Sequence, residues 1–198
     1  MVQLDKNGLS EEQFLEQYSP GDYVRPSVTV DNVIFAVADT HEENYRKLPK
    51  KELRILLIQR GMHPFIGQWA LPGGFVRPNE TVGEAAEREL EEEAGISGGY
   101  LEQLYTFSKP GRDPRTWVIS CAHMALVDGE QILPKAGSDA DRALWFTLRA
   151  DDYSDTILLS LSNDEVSLRA VVDSASGGRD LRIVENNGLA FDHAEIIA

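Results

Sequence analysis

The chain has 198 residues, 42% of them apolar and 26% charged, with a formal net charge of −14 and a single cysteine, Cys121. This length suits one domain with a full core and a small elaboration, not two large domains. The negative charge argues against non-specific nucleic-acid binding, which runs on phosphate neutralisation by cations, and one cysteine excludes an internal disulfide.

No apolar run approaches the ~20 residues that span a bilayer. Met1 to Lys6 lacks the basic and apolar regions of a signal peptide. The expected location is therefore the cytoplasm, with no membrane partner. In chain order, residues 9–18 read as a short helix, with Ser10 as N-cap and Phe14, Leu15 and Tyr18 at helical spacing, ended by Pro20-Gly21. Ser27 to Ala38 and Leu53 to Gln59 read as core strands, with a polar loop, His41 to Lys51, between them. Trp69 to Val76 contains a Pro-Gly-Gly turn. Glu80 to Ala94 is the clearest helix: Thr81 and Glu84 form a capping box, and Gly95 suits the position after the helix end. Tyr100 to Phe107, Trp117 to Val127 and Ala143 to Leu148 read as strands.

After residue 150 the pattern changes. Ile157 to Leu161, Val166 to Val172 and Leu181 to Val184 read as a small set of strands. Leu189 to Ile197 reads as a helix barely begun, a pattern that a longer natural chain would continue. The expected organisation is a helix and lead-in over 1–26, a main domain over 27–150, and a β-rich extension with a terminal helix over 151–198, packed on the main domain.

The helix from Val82 carries the chemistry. At about 100° per residue from Val82, Glu89, Glu93 and Glu92 fall near about 340°, 20° and 280°, on the arc shared by Ala85 and Ala86. Glu84, Glu87 and Glu91 fall on the opposite, solvated side. Like carboxylates at i, i+3 and i+4 repel, so three of them beside the small residues need compensation, which a hard divalent cation supplies through oxygen ligands. A merely Glu-rich exposed helix would show a similar composition.

The upstream Leu71-Pro72-Gly73-Gly74 weighs against that second reading, because a turn of this kind brings backbone close to the helix. From Gly74 the chain runs Gly, five residues, Glu80, seven residues, Arg88-Glu89-Leu90-Glu91-Glu92-Glu93-Ala94-Gly95-Ile96. This resembles the Nudix box in all seven fixed identities and both aliphatic positions. The resemblance implies an α/β (α+β) fold in which a mixed sheet is sandwiched between helices, with 27–150 as the Nudix hydrolase domain and an extra β-rich elaboration after it. It implies Mg2+, with Mn2+ as the alternative, held by Glu89, Glu92, Glu93 and the carbonyl of Gly73. Glu80 would organise the site, Arg88 would hold its carboxylates in place with Glu84 and Glu92 at i−4 and i+4, and Trp69 would be the packing tryptophan that precedes the box.

Substrate recognition must come from elsewhere. The loop Ser108 to Arg115 offers Lys109, Arg112 and Arg115 as phosphate or ribose donors, with Asp113 among them, and Phe107 and Trp117 flank it as stacking candidates. A solvated turn with aromatics in the core is the competing reading. Arg25 and Arg60 end apolar strands, where each can reach a phosphate or stay solvated. His193 reads as a helix-start or packing residue, and Cys121 as core. The run Leu104 to Arg115, with Ala136-Gly-Ser-Asp139-Ala and Leu189-Ala-Phe-Asp-His-Ala, resembles the ADP-ribose pyrophosphatase group of Nudix proteins. That resemblance implies cleavage of ADP-ribose to AMP and ribose 5-phosphate, Asp139 as general base, and a homodimer. The alternatives are hydrolysis of a dinucleotide or modified nucleoside triphosphate, and an ADP-ribose-sensing Nudix-related transcriptional regulator.

Overall fold

The computed structural model describes residues 2–39, 51–128, 140–175 and 181–198. The leading helix α1 (Glu11–Gln17) has the expected capping box, Ser10 with Gln13, and buries none of its residues. The strands that follow are β1 (Ser27–Asp39), β2 (Lys51–Arg60), β3 (Trp69–Ala70) and β4 (Gly73–Phe75). Helix α2 (Val82–Ala94) leads into β5 (Tyr100–Phe107) and β6 (Val118–Val127). The chain finishes with β7 (Ala140–Tyr153), β8 (Thr156–Ser162), β9 (Ser167–Asp173), β10 (Arg182–Asn187) and α3 (His193–Ile197). Among the described residues no helix is long and apolar enough to cross a membrane.

The strands form one mixed sheet in the order β10-β9-β8-β7-β2-β1-β6-β5, with β3 beside β2 and β4 beside β1. β1 runs parallel to β6 and antiparallel to β2. Successive side chains of a strand point to opposite faces, so each central strand feeds two cores. Val33, Ile55 and Leu57 join Phe146, Leu189, Ala194 and Ile196 on the α3 side. Ile34 and Leu56 join Leu90, Ala94 and Ile96 on the α2 side. Cys121 packs with Val30, Ala85 and Ala86, in the core as expected. The sheet thus lies between α2 and the short α3.

Three elements differ from the sequence reading. Pro72-Gly73-Gly74 is not only a turn, because Gly73–Phe75 pairs with β1 in the register Asp31↔Gly73 and Val30↔Gly74. The short strand expected at Ala143 to Leu148 extends over Ala140–Tyr153, since it pairs with β2 and then carries on as the partner of β8. Position 150 therefore lies inside a strand, and the extension continues the main sheet. The last helix starts at His193 rather than Leu189. The backbone before it is committed to Trp69, whose N–H donates to the Gly188 carbonyl at 2.8 Å and whose carbonyl accepts from the Ala190 N–H at 2.7 Å.

Leu56 has 0% of its surface exposed, whereas Leu15 on α1 has 61%. Leu56→Ala is expected to lower unfolding free energy by about 2–5 kcal/mol through lost transfer energy and a residual cavity. Leu15→Ala should stay within about 0.5 kcal/mol. Urea denaturation of the two variants checks the contrast.

Candidate active site

Helix α2 is fixed at both ends by local chemistry. Thr81 Oγ1 accepts the Glu84 N–H at 3.2 Å, while Glu84 Oε2 accepts the Thr81 N–H at 2.7 Å. At the other end Gly95 takes φ +67°, a left-handed conformation that glycine adopts without a Cβ penalty, and its N–H donates to Glu91. Between these caps, Ala85, Ala86, Glu89, Leu90, Glu93 and Ala94 are buried. Glu89 and Glu93 thus lie on the inward face, each 8% exposed. Glu92 sits at the edge, with its side chain 48% exposed.

β4 lies against this face because it has no side chains there. A Cβ on Gly73 would stand 2.1 Å from the Val30 carbonyl oxygen, and one on Gly74 would stand 2.3 Å from Glu89 Oε1. The Gly73 N–H donates to Glu93 Oε2 at 3.0 Å. Arg88 gathers the remaining carboxylates. Its Nε and Nη2 donate to the two oxygens of Glu80 at 3.0 and 2.8 Å, and its Nη1 to Glu89 Oε1 at 2.5 Å and Glu92 Oε2 at 3.3 Å. Nη2 also reaches the Phe75 carbonyl at 3.1 Å. Glu84, expected beside Arg88, instead spends its carboxylate on the helix cap. Bidentate hydrogen bonding from Arg88, with help from the Arg77 N–H, holds Glu80 down from its usual 4.5 to about 2.

Among the described residues no three His, Cys, Asp or Glu side chains are already clustered as a metal shell. Arg88, Arg77 and the Gly73 N–H hold the glutamates in their present positions. The donor set still fits a hard divalent cation. Glu80, Glu89 and Glu92 share two guanidiniums, Arg88 and Arg77, and Glu93 brings a fourth carboxylate to the same face of α2. Two of these four carboxylates are buried, where unbalanced charge is costly. The space a Gly74 Cβ would fill leaves the Glu89 oxygens accessible from β4.

A cleft of about 130 Å³ opens beside this face. Its walls include Gly73, Gly74 and Glu93 on one side and Arg60, Arg112, Asp113, Arg115 and Phe191 on the other. A carboxylate thus faces an arginine-rich wall. Arg112 is buried, its side chain 5% exposed, and forms a bidentate pair with Asp192 at 2.8 and 2.7 Å while approaching Asp31 at 3.5 Å. Burial works against its charge, but these carboxylates outweigh it and raise its pKa further. Asp31 also accepts from Ser120 Oγ at 2.5 Å. His193 Nδ1 accepts the Leu71 N–H at 2.8 Å, so that nitrogen carries no proton, and burial pushes the imidazole pKa down. Arg115 Nε and Nη2 donate to Asp113 at 3.0 and 2.7 Å, which holds the Asp113 carboxyl low despite its burial.

A NUDIX domain model matches residues 32–153. The chain belongs to the Nudix family. It is 41% identical over 126 residues to an ADP-ribose pyrophosphatase of Methanocaldococcus jannaschii, covering 64% of each chain. It is 39% identical over 129 residues to the ADPR responsive transcriptional repressor NtrR of Acinetobacter baylyi, covering 64% of this chain and 47% of the repressor. The chain therefore spans from about half to under two thirds of these relatives' own lengths. A MutT/nudix family protein from Enterococcus faecalis superimposes with a TM-score of 0.70 at 36% identity, over 96% of this chain and 67% of that one. That match extends beyond the family model's last residue, into the carboxy-terminal strands.

Against this family frame, the structure brings Arg60, Arg112, Asp113 and Arg115 to one cleft with Gly73 and Glu93. Phe107 does not join them. It packs against the α3-side core, edge-on to Tyr105 with ring centroids 5.2 Å apart, because its strand position faces inward. Trp117 is half exposed beside the loop. Asp139 lies outside the described residues. His193 packs where it starts α3, and Trp69 lies edge-on to Phe146 in the core. Phe191, Asp192 and Asp31 belong to this site without being candidates from local sequence. For Phe191 and Asp192 the signal was the Leu-Ala-Phe-Asp-His-Ala resemblance, and for Asp31 there was none, since these residues reach the cleft or its Arg112 through contacts distant in sequence.

Two outcomes check this geometry. Because the Glu80 pKa is lowered in the folded chain, its stabilising contribution is present above pH 4.5 and is lost as pH falls toward about 2. In Arg88→Met the Glu80 carboxyl should titrate back near 4.5, read by carboxyl 13C chemical shifts. Asp192→Ala leaves the buried Arg112 charge short of its main partner, and should destabilise the chain by about 3–5 kcal/mol in urea unfolding.

Proposed function

We propose that the chain is a Mg2+-dependent Nudix pyrophosphohydrolase that cleaves ADP-ribose to AMP and ribose 5-phosphate. The observation that carries this reading is the cleft itself, where the buried Glu93 carboxylate of α2 faces an arginine-rich wall beside the glycines of β4. The acidic wall suits a cation and the basic wall suits the diphosphate anion. The identity to an ADP-ribose pyrophosphatase supports the choice of substrate.

In this reading Glu89, Glu92, Glu93 and the Gly73 carbonyl would hold Mg2+ or Mn2+, with Glu89 and Glu92 exchanging part of their arginine contacts for the ion. When bound, the ion neutralises the diphosphate and acidifies a water. The chain's own residues orient the parts. Arg88 fixes Glu80 and keeps the carboxylates aligned, and the Gly73 N–H positions Glu93. Arg60 and Arg115 bind phosphate oxygens. Arg112 and Asp113 hold their loop in place. Asp139 is assigned the proton released from water. The water oxygen bonds to one phosphorus as the P–O bond to the bridging oxygen breaks, giving AMP and ribose 5-phosphate. The exposed Phe14, Leu15 and Tyr18 of α1 suit a homodimer contact.

With Mg2+ present, ADP-ribose should yield AMP and ribose 5-phosphate in equal amounts by ion-exchange chromatography. Glu93→Gln should lower kcat/KM by about two orders of magnitude or more with the fold retained. Cleavage of a nucleoside triphosphate with ADP-ribose untouched would reassign the substrate. The repressor relative makes one further reading concrete: ADP-ribose binding without turnover, together with a DNA gel shift, would mark a sensor instead.

A further inference from the structure

Phe191 occupies an unusual position in the cleft. Its backbone takes φ +51°, a left-handed conformation that a bulky side chain adopts only when its surroundings impose it. The Ala190 N–H is bonded to Trp69 on one side of Phe191, and on the other the Asp192 carboxylate is locked to Arg112 and His193 to the Leu71 N–H. The ring is anchored further by Phe65, with centroids 4.7 Å apart, and by the His193 ring at 5.4 Å.

Two guanidiniums sit over this one ring. The guanidinium carbon of Arg60 is 5.0 Å from its centroid and that of Arg115 is 5.7 Å away. Each arginine has a second tether. Arg60 Nε donates to the Pro64 carbonyl at 2.8 Å, and Arg115 gives Nε and Nη2 to Asp113. Arg115 also lies 5.3 Å from the Phe75 ring, on β4 itself, so its guanidinium is caught between two aromatic rings. The negative face of the ring attracts both cations and sets where they can stand. Both guanidiniums line the cleft that leads to the glutamate face, so an anion there can contact the two together.

We propose that Phe191 is a positioning residue that spaces Arg60 and Arg115 as a paired anion site, selecting a diphosphate over a single phosphate. The inference rests on the pyrophosphohydrolase reading for its substrate, and adds the residue that sets the spacing. A single phosphate can engage one guanidinium fully, whereas a diphosphate presents oxygens to both.

The test compares Phe191→Leu, which keeps apolar bulk and loses the ring face, with Phe191→Tyr, which keeps the ring. Inorganic pyrophosphate and inorganic phosphate are the calorimetric probes, and ADP-ribose turnover is measured alongside. In Phe191→Leu, pyrophosphate affinity should fall and KM for ADP-ribose should rise, each about tenfold, with kcat within about twofold and phosphate affinity little changed. Phe191→Tyr should retain the parent values. Unchanged pyrophosphate affinity in Phe191→Leu overturns the proposal. So does an equal loss in both variants, because a role in packing alone would produce it. If the parent chain hydrolyses no diphosphate, the catalytic reading fails while pyrophosphate binding still decides the role of Phe191.

Discussion

The site depends on the close approach of a bare strand to a helix face. Gly73 and Gly74 lie where any side chain would strike the Val30 carbonyl or the Glu89 carboxylate. This contact lets Glu89 and Glu93 face inward, because the backbone N–H of Gly73 answers Glu93 and Arg88 answers Glu89. Buried carboxylates without such partners would be protonated or would turn outward. The capped ends of α2 hold the helical register, so each glutamate meets its own partner.

The second wall has a different origin. It is supplied by the loop before β6 and by the last residues of the chain, joined by the Arg112–Asp192 pair across 80 positions of sequence. The pair is buried, so its worth lies less in net stability than in the unpaired charge that losing one partner would leave. Asp31 ties the pair to β1, and His193 ties it to the residue before Pro72. One polar network thus references the arginine wall to β1 and Leu71, the pairing partner and the lead-in of the strand that approaches the glutamates. The carboxy-terminal strands support this by continuing the sheet from β7 and delivering Leu189 and Ala190 to Trp69.

Much of the fold was legible wherever the signal is local. The capping boxes at Ser10 and Thr81, the αL glycine at position 95 and the alternating strands all depend on neighbours within a few residues. Elements were misjudged where distant pairing decided them. The 143–148 segment became a fourteen-residue strand because β2 and β8 pair with different parts of it. The Gly-Gly turn became a strand because β1 was available to pair with it. Phe107 looked suited to stacking on a base, but its side of the strand faces the core, and composition cannot tell one side from the other.

The sequence by itself determined the α2 helix, its limits and the placement of Glu89, Glu92 and Glu93 on one arc, because helical period and end-capping are short-range. The same spacing identified the Nudix family. Only the tertiary structure decided what those carboxylates face, that Glu84 serves the cap while Glu80 takes Arg88, and that Arg60 and Arg115 share the Phe191 ring. These outcomes turn on which side chains the folded sheet brings within bonding distance, and no periodicity in the chain encodes a contact between residues so far apart.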